Sequence, residues 1–218
     1  MSKIKAVILD ADGVLFRKIS PLVDKKLSQL AHVSEEIVKE KRKKYWALTK
    51  IGTLTSKEMW FGSIHHPGFE KGILGELGIK EKEFTTQDLF AMNSGAIEFL
   101  KYTKKQEIPL CLLSNSSEDL IEKQYHYFKL ETFFTAAFFS HKMKIAKPDQ
   151  RIFEKVLKEL HFDASEILFV DDKEKNLFAA EEFGFQTFLF TESADFVKLK
   201  RMVSPKQEES VLQTSILK

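Results

Sequence analysis

The 218-residue chain has a single cysteine, Cys111, so it can form no disulfide within itself and no multi-thiolate metal centre. Cys111 lies inside the apolar run IPLCLLS, which makes a buried core thiol its expected role. Arginine occurs only at Arg17, Arg42, Arg151 and Arg201, so the forked guanidinium contacts that serve nucleic-acid recognition are scarce. Neither sign of charge dominates, because 34 basic and 32 acidic side chains leave a net charge of +2. That balance points to neither nucleic acid nor a membrane surface as a partner. No apolar run approaches the roughly 18 residues of a membrane span. The chain reaches its first carboxylate after the short apolar run Ala6–Leu9, too short for a signal-peptide core. A cytoplasmic location is the expectation.

What is present is a globular composition, with 43% hydrophobic and 30% charged residues, enough to build a core. Four apolar runs read as strands: AVIL (6–9), PLCLL (109–113), ILFV (167–170) and TFLF (187–190), with AAFF (136–139) as a fifth. Each is continuous rather than alternating, as in a parallel sheet covered on both faces. Helical patterns lie between them, at 97–106, 119–130, 149–160 and 174–184, the last ending at Gly184 as a C-cap. Alternating strands and helices predict an α/β fold. Residues 17–92 break that pattern. They contain no strand signal and read as helices over DKKLSQLAH, SEEIVKEKRKKYWAL, SKEMWFGSIHH and GFEKGILGELGI, with Ser34 as an N-cap. This predicts an all-α insertion after the first strand. The core would then be 1–16 and 93–202, and 203–218 a polar tail.

Chemistry collects at the strand ends. In a parallel sheet, ligands bind beyond the carboxyl ends of the strands. The first strand runs into Asp10 and Asp12, the second into Ser114, Asn115, Ser116 and Ser117, and the fourth into Asp171 and Asp172. Lys147 sits just before a helix that the sequence starts at Pro148, a favoured first position. Carboxylates at such close range cannot all stay ionised without a cation, and an all-oxygen set suits a hard ion such as Mg²⁺. The hydroxyl-rich loop SNSSED reads as a helix N-terminus able to hold an anion. A cation, a lysine and such a loop around a carboxylate fit a phosphate substrate.

DADGV (10–14), LLSNS (112–116), AKPD (146–149) and FVDDKEKN (169–176) resemble, in order, the four motifs of the haloacid dehalogenase-like (HAD) superfamily. The helical insertion resembles the α-helical cap of its subfamily I. The resemblance runs from about Lys5 to Thr191 and implies a Rossmann-like parallel-sheet core with an inserted all-α cap. It implies Asp10 as a nucleophile forming an aspartyl-phosphate and Asp12 as general acid/base. Ser114, Asn115 and Lys147 would hold the phosphoryl group. Mg²⁺ would be bound by Asp10, the Asp12 backbone carbonyl and Asp172, with Asp171 in the outer shell or as an alternative ligand, and Asn176 positioning that loop. The implied activity is Mg²⁺-dependent hydrolysis of a small phosphorylated metabolite. As the resemblance has it, an aspartate at Asp12 goes with phosphate esters, whose leaving alkoxide needs a proton, and disfavours a dehalogenase.

Alternatives stay open. A β-phosphoglucomutase-like sugar phosphomutase shares the motifs, and a non-enzymatic binding or regulatory protein could keep the fold. An isolated Asp pair is usually turn chemistry, Ser114 and Asn115 could only cap a helix, and a lone lysine is usually solvated. The companion motifs favour the catalytic reading. His65 and His66 read as surface or packing residues, and KEKRKKYW (39–46) as a solvated helix face. In the cap, the turn TKIGTLT (49–55) offers Lys50 as a candidate specificity residue from its loop position alone. The sequence leaves the oligomeric state open, and a monomer is compatible with it.

Overall fold

The computed structural model describes residues 3–84 and 91–204, and over 119–122 the backbone alone. Five strands, β1 (Ala6–Leu9), β2 (Leu110–Ser114), β3 (Ala136–Phe139), β4 (Ile167–Asp171) and β5 (Gln186–Leu189), form one sheet in the order β3-β2-β1-β4-β5. Every neighbouring pair is parallel; Val7 lies opposite both Leu110 and Leu168. Between β1 and residue 84 come α1 (Ser20–Ala31), α2 (Glu35–Thr49), α3 (Ser56–Phe61) and α4 (Gly72–Glu76). Helix α5 (Ala96–Lys105) leads into β2 and α6 (Glu118–Tyr127) leaves it. The short α7 (Ser140–Met143) and α8 (Gln150–Leu160) separate β3 from β4. Helix α9 (Glu174–Glu181) links β4 to β5, and α10 (Asp195–Val203) follows. No helix among the described residues is long and apolar enough to cross a membrane.

The strand period of two divides the core into two layers. Val7, Leu9, Leu112 and Val170 face α5 and α10, where Phe99, Leu100, Phe196 and Leu199 meet them. Ile8, Cys111, Leu113 and Phe169 face α8 and α9, where Ile152, Phe153, Val156 and Ala180 meet them. Strands β1, β2 and β4 are buried throughout, while the edge strands β3 and β5 are partly exposed. Each fully buried Leu, Ile or Phe contributes about 1.5–3 kcal/mol, so continuous apolar runs belong in the three central strands. Cys111 is a buried free thiol, pushed up by burial, with Thr135 Oγ1 at 3.6 Å.

The inserted helices carry their own core of Val23, Leu27, Val38, Tyr45, Leu54 and Ile73. Buried Asp24 accepts both arms of the Arg42 guanidinium, at 2.6 and 2.8 Å, a geometry that only the planar fork supplies. Tyr45 donates to Glu76 Oε1 at 2.7 Å and meets the Phe69 ring edge-on.

Several local expectations need correction. Helix α3 stops at Phe61 and α4 begins only at Gly72, because the chain between them folds back on itself. A Cβ on Gly62 would lie 1.9 Å from Glu70 O, and one on Gly72 would lie 2.4 Å from Gly62 N. Ser34 occupies the N-cap position of α2 without a side-chain cap bond. The cap of α8 is Asp149, whose carboxylate accepts the Arg151 N–H at 3.0 Å, so Pro148 precedes the helix rather than opening it. Val203 belongs to α10 and is buried, and Ser204 Oγ lies 2.6 Å from Tyr102 Oη. The proposed tail thus begins later than 203, and 205–218 lie outside the described residues.

Where the chain leaves and re-enters the sheet layer, Phe16 and Met92 form an antiparallel bridge, and the Arg17 N–H donates to Ala91 O at 2.8 Å. Asn93 ties this junction together. Its side-chain amide donates to Val14 O at 2.7 Å and approaches Gly13 O and Phe16 O at 3.2 and 3.3 Å, while its own N–H donates to Leu15 O. Asn93→Ala leaves these carbonyls short of a donor and should lower stability by about 1–3 kcal/mol, read as a lower urea midpoint at unchanged slope.

Candidate active site

Asp10 is the first residue beyond β1, its N–H donating to Val170 O at 2.9 Å. Asp171 ends β4, the neighbouring strand, and Asp172 follows it. The order of strands reverses here: β2 and β3 lie on one side of β1, β4 and β5 on the other. Such a switch point opens a crevice at the carboxyl ends of the strands. One carboxylate oxygen each from Asp10, Asp171 and Asp172 lies within 4.8 Å of the others.

Lys147 supplies the central charge. It is 1% exposed, and its Nζ contacts Asp171 Oδ2 at 2.7 Å, Leu113 O at 2.7 Å and Asp10 Oδ1 at 2.9 Å. An ammonium has three N–H donors, and all three are used. Nζ also stands 5.2 Å over the Phe169 ring, a favourable place for a cation. Asn115 fixes the lysine's backbone: its Nδ2 donates to Lys147 O at 2.8 Å and its Oδ1 accepts the Lys147 N–H at 2.9 Å. The Asn115 amide is therefore committed to Lys147, 32 residues away. Ser114 is buried at the end of β2, and Ser117 is the N-cap of α6 without a side-chain cap bond.

The two neighbouring aspartates have different surroundings. Asp171 is fully buried and hydrogen-bonded all round: besides Lys147 it accepts the Lys173 N–H at 2.9 Å and the Asn176 side-chain amide at 2.9 Å. Asp172 pairs with two ammonium groups, Lys18 at 2.6 Å and Lys173 at 2.9 Å. Lys173 also lies 3.9 Å from Asp10 Oδ2. Gly13 lies against Asp172: at φ +96°, a Cβ there would sit 2.6 Å from Asp172 Cγ. Lys18 and Lys173 were not singled out from the sequence. Lys173 is adjacent to the Asp pair, a usable signal, but Lys18 meets Asp172 across 154 positions, which no local pattern encodes.

The environments drive the carboxyls apart. Burial pushes Asp10 up to about 7 against the pull of Lys147. Burial also raises Asp12, with Lys173 and the Ile19 N–H, which donates to Asp12 Oδ1 at 3.3 Å, acting the other way. Burial works against the charge of Asp172 as well, but Lys173 and Lys18 outweigh it and hold that carboxyl below its ordinary range. Side chains that are neutral and charged at one pH thus stand together, the usual arrangement for acid–base work. An open cleft of about 800 Å³ leads from Asp172 and Gly13 past Arg17, Lys18 and Asn93 to Thr191.

Lys50, the candidate in the insertion, is half-buried at the end of α2, and its carbonyl accepts from Ser140 Oγ at 2.5 Å. The structure thus sets Lys147 against Asp10 and Asp171, gathers the carboxylates of Asp10, Asp171 and Asp172 within 4.8 Å, holds Asn115 on Lys147, and docks the Lys50 turn on the same edge of the sheet. The donor set offered by the aspartates is all oxygen, which fits Mg²⁺.

Residues 4–184 match the haloacid dehalogenase-like hydrolase family. The chain belongs to that family. Among similar proteins, a sesquiterpene phosphatase of Aspergillus oryzae is 26% identical over 215 residues, covering 91% of this chain and 96% of the relative. An (S)-2-haloacid dehalogenase of Burkholderia cepacia is 24% identical over 136 residues, 60% of this chain and 59% of the relative. A HAD family enzyme of Bacteroides thetaiotaomicron shares the fold, with a TM-score of 0.70 at 23% identity over 90% of this chain and 98% of that one. The same enzyme in complex with magnesium and inorganic phosphate aligns with a TM-score of 0.65 at 22% identity over 85% and 93%.

Gly13 offers a direct test of the site's packing. Gly13→Ala forces a Cβ onto Asp172 at a backbone angle that L-residues disfavour. The variant should lose at least about 1 kcal/mol of stability and more than tenfold of any Mg²⁺ affinity, measured by calorimetry.

Proposed function

We propose that the protein is a Mg²⁺-dependent phosphatase acting on a small phosphorylated metabolite through an aspartyl-phosphate on Asp10. The observation that carries this reading is the convergence of Asp10, Asp171 and Asp172 around Lys147, with Asp12 two residues beyond the nucleophile. The A. oryzae relative, named as a phosphatase, and the B. thetaiotaomicron complex with magnesium and phosphate agree with it.

Asp10 and Asp172 would hold the ion, with the Asp12 carbonyl as a third donor. The lone pairs of Asp171 are already engaged by Lys147, the Lys173 N–H and Asn176, which favours Asp171 as the residue that orients Lys147. The partners of Asp172 are two lysine ammoniums on long, partly exposed chains, which can swing aside. When bound, Mg²⁺ supplies positive charge to the phosphoryl oxygens and keeps Asp10 ionised at neutral pH.

The rest falls to the protein's own groups. Lys147 holds Asp10 Oδ1 in place. A carboxylate oxygen of Asp10 attacks phosphorus, the ester P–O bond breaks, and Asp12, whose carboxyl burial raises, gives its proton to the leaving alkoxide. Asp12 then takes a proton from water as it attacks the aspartyl-phosphate, releasing inorganic phosphate and restoring Asp10. Asn115 serves by fixing the Lys147 backbone, and Ser114 lies beside it at the end of β2. Residues 17–92 act as the cap that excludes water and reads the leaving group.

Asp10→Asn should abolish phosphate release from an aryl phosphate while leaving the circular-dichroism spectrum unchanged; retention of most activity would reject the nucleophile assignment. Phosphate appearing mole for mole with ester consumed separates this reading from a phosphomutase. Metal binding supplies a second test. A carboxyl raised to about 7 is largely protonated at pH 6 and largely ionised at pH 8. Mg²⁺ must displace that proton. Its apparent Kd should therefore weaken about tenfold from pH 8 to pH 6, with close to one proton released at pH 6. The same shift acts on folding in the absence of metal. Between the unfolded value and about 7 the native state binds more protons, so stability falls as pH rises through that window.

A further inference from the structure

The chain passes from the sheet layer to the inserted helices through three residues whose contacts run in different directions. Arg17 stays with the sheet layer, its N–H donating to Ala91 O at 2.8 Å. Ile19 belongs to the insertion: its side chain is buried in the core of those helices, and α1 starts at the next residue. Between them, Lys18 reaches back to the site and donates to Asp172 Oδ2 at 2.6 Å. The Ile19 N–H donates to Asp12 Oδ1 at 3.3 Å. The linker is thus tied to two aspartates of the site, to one by an ammonium and to the other by a backbone N–H.

Both oxygens of Asp172 carry an ammonium, Oδ2 that of Lys18 and Oδ1 that of Lys173 at 2.9 Å. A divalent cation seated on Asp172 would meet these charges at close range, where like charges repel strongly. Of the three ammoniums in the cluster, one can leave at small cost. Lys147 is buried with all three donors met. Lys173 has its own N–H held by Asp171, and its Nζ also faces Asp10 Oδ2 at 3.9 Å. The Lys18 side chain is 46% exposed and pairs with no other carboxylate among the described residues. It lines the open cleft that leads to Asp172, so a flexible stem can carry its ammonium from the carboxylate into water.

We propose that Lys18 is a latch released by metal: it ties the start of the insertion to Asp172 until Mg²⁺ takes that carboxylate, and its departure frees the linker at Lys18 and Ile19. This rests on Asp172 as a ligand in the phosphatase reading and adds what that ligation does to the insertion. Mg²⁺ and the Lys18 ammonium compete for one carboxylate, so the ion binds the unlatched form more tightly and shifts the population toward it. The coupling is reciprocal, so whatever weakens the latch strengthens metal binding. The order that follows is metal first and movement of the insertion second.

The test needs no substrate and uses the full chain at a fixed pH. Calorimetry gives the Mg²⁺ Kd. Reductive methylation, read by mass spectrometry against the exposed Lys57 as internal standard, gives the reactivity of the Lys18 amine. Lys18→Met should tighten the Mg²⁺ Kd at least about threefold. Arg17→Met removes a charge from the same cleft without touching Asp172 and should change the Kd by less than about twofold. In the wild type, saturating Mg²⁺ should raise Lys18 labelling at least about threefold, and hydrogen exchange at the Ile19 N–H should quicken with it. Asp172→Asn should raise Lys18 labelling without any metal. A Kd for K18M equal to that of the wild type, or matched by R17M, overturns the proposal. So does Lys18 labelling that Mg²⁺ leaves unchanged, or labelling that rises while exchange at Ile19 stays as slow as before. Slow labelling of Lys18 in D172N rejects the tie itself, whatever the metal does. If neither the wild type nor K18M binds Mg²⁺, the metal reading fails, and the trigger of the latch fails with it.

Discussion

One buried ammonium joins the ends of three strands. Lys147 Nζ touches Leu113 O of β2, Asp10 beyond β1 and Asp171 of β4. Withdrawing such a charge from water costs several kcal/mol, offset only when every donor is met. Here every donor is met, and each acceptor lies in or just beyond a different strand. The arrangement is therefore intolerant of change: removing one member leaves an uncompensated charge in the core, a loss of about 3–5 kcal/mol. The requirement spreads outward. Asp171 must be held for Lys147 to be held, and Asn176 and the Lys173 N–H hold it. The backbone of Lys147 must also be held, and Asn115 does so from the loop after β2. The position of Asp10 is set by residues that need never touch a substrate.

Around that centre, environment rather than residue type gives the four aspartates different character. Asp171 spends its lone pairs on neutral and cationic donors within the fold. Asp10 and Asp12 are raised by burial, and Asp172 is lowered by Lys18 and Lys173. Two carboxyls raised by burial thus stand beside one lowered by its ammonium neighbours. That combination is the electrostatic form of the chemistry proposed for the site.

Much of this was legible in the sequence. AVIL, LCLLS and ILFVD are continuous apolar runs because both faces of β1, β2 and β4 are covered, and each run ended at a polar residue that the sheet brings to one edge. Four spaced motifs were enough to suggest the family. What no local pattern carries are contacts distant in sequence. The Asn115 amide meets the Lys147 backbone 32 residues further on. Lys18, an unremarkable residue in a linker, pairs with Asp172. In the insertion, the periodic pattern ran past Phe61 because hydrophobic spacing does not register the back-to-back approach of Gly62 and Gly72. Asp149 displaced Pro148 as the start of α8 because a carboxylate cap outweighs a favourable proline angle.

The bridge between Phe16 and Met92 has a consequence for how such a molecule can be built. Paired residues of an antiparallel bridge lie about 4.5–5.5 Å apart, so the chain departs from the sheet layer and returns to it at almost one point. Everything between those residues is, in topological terms, a loop with touching ends. Such a loop can lengthen at small entropic expense, since the closure penalty grows only with the logarithm of its length. The helices that overlie the site could accordingly be exchanged for a different set, or reduced to a short turn, without re-threading a single strand.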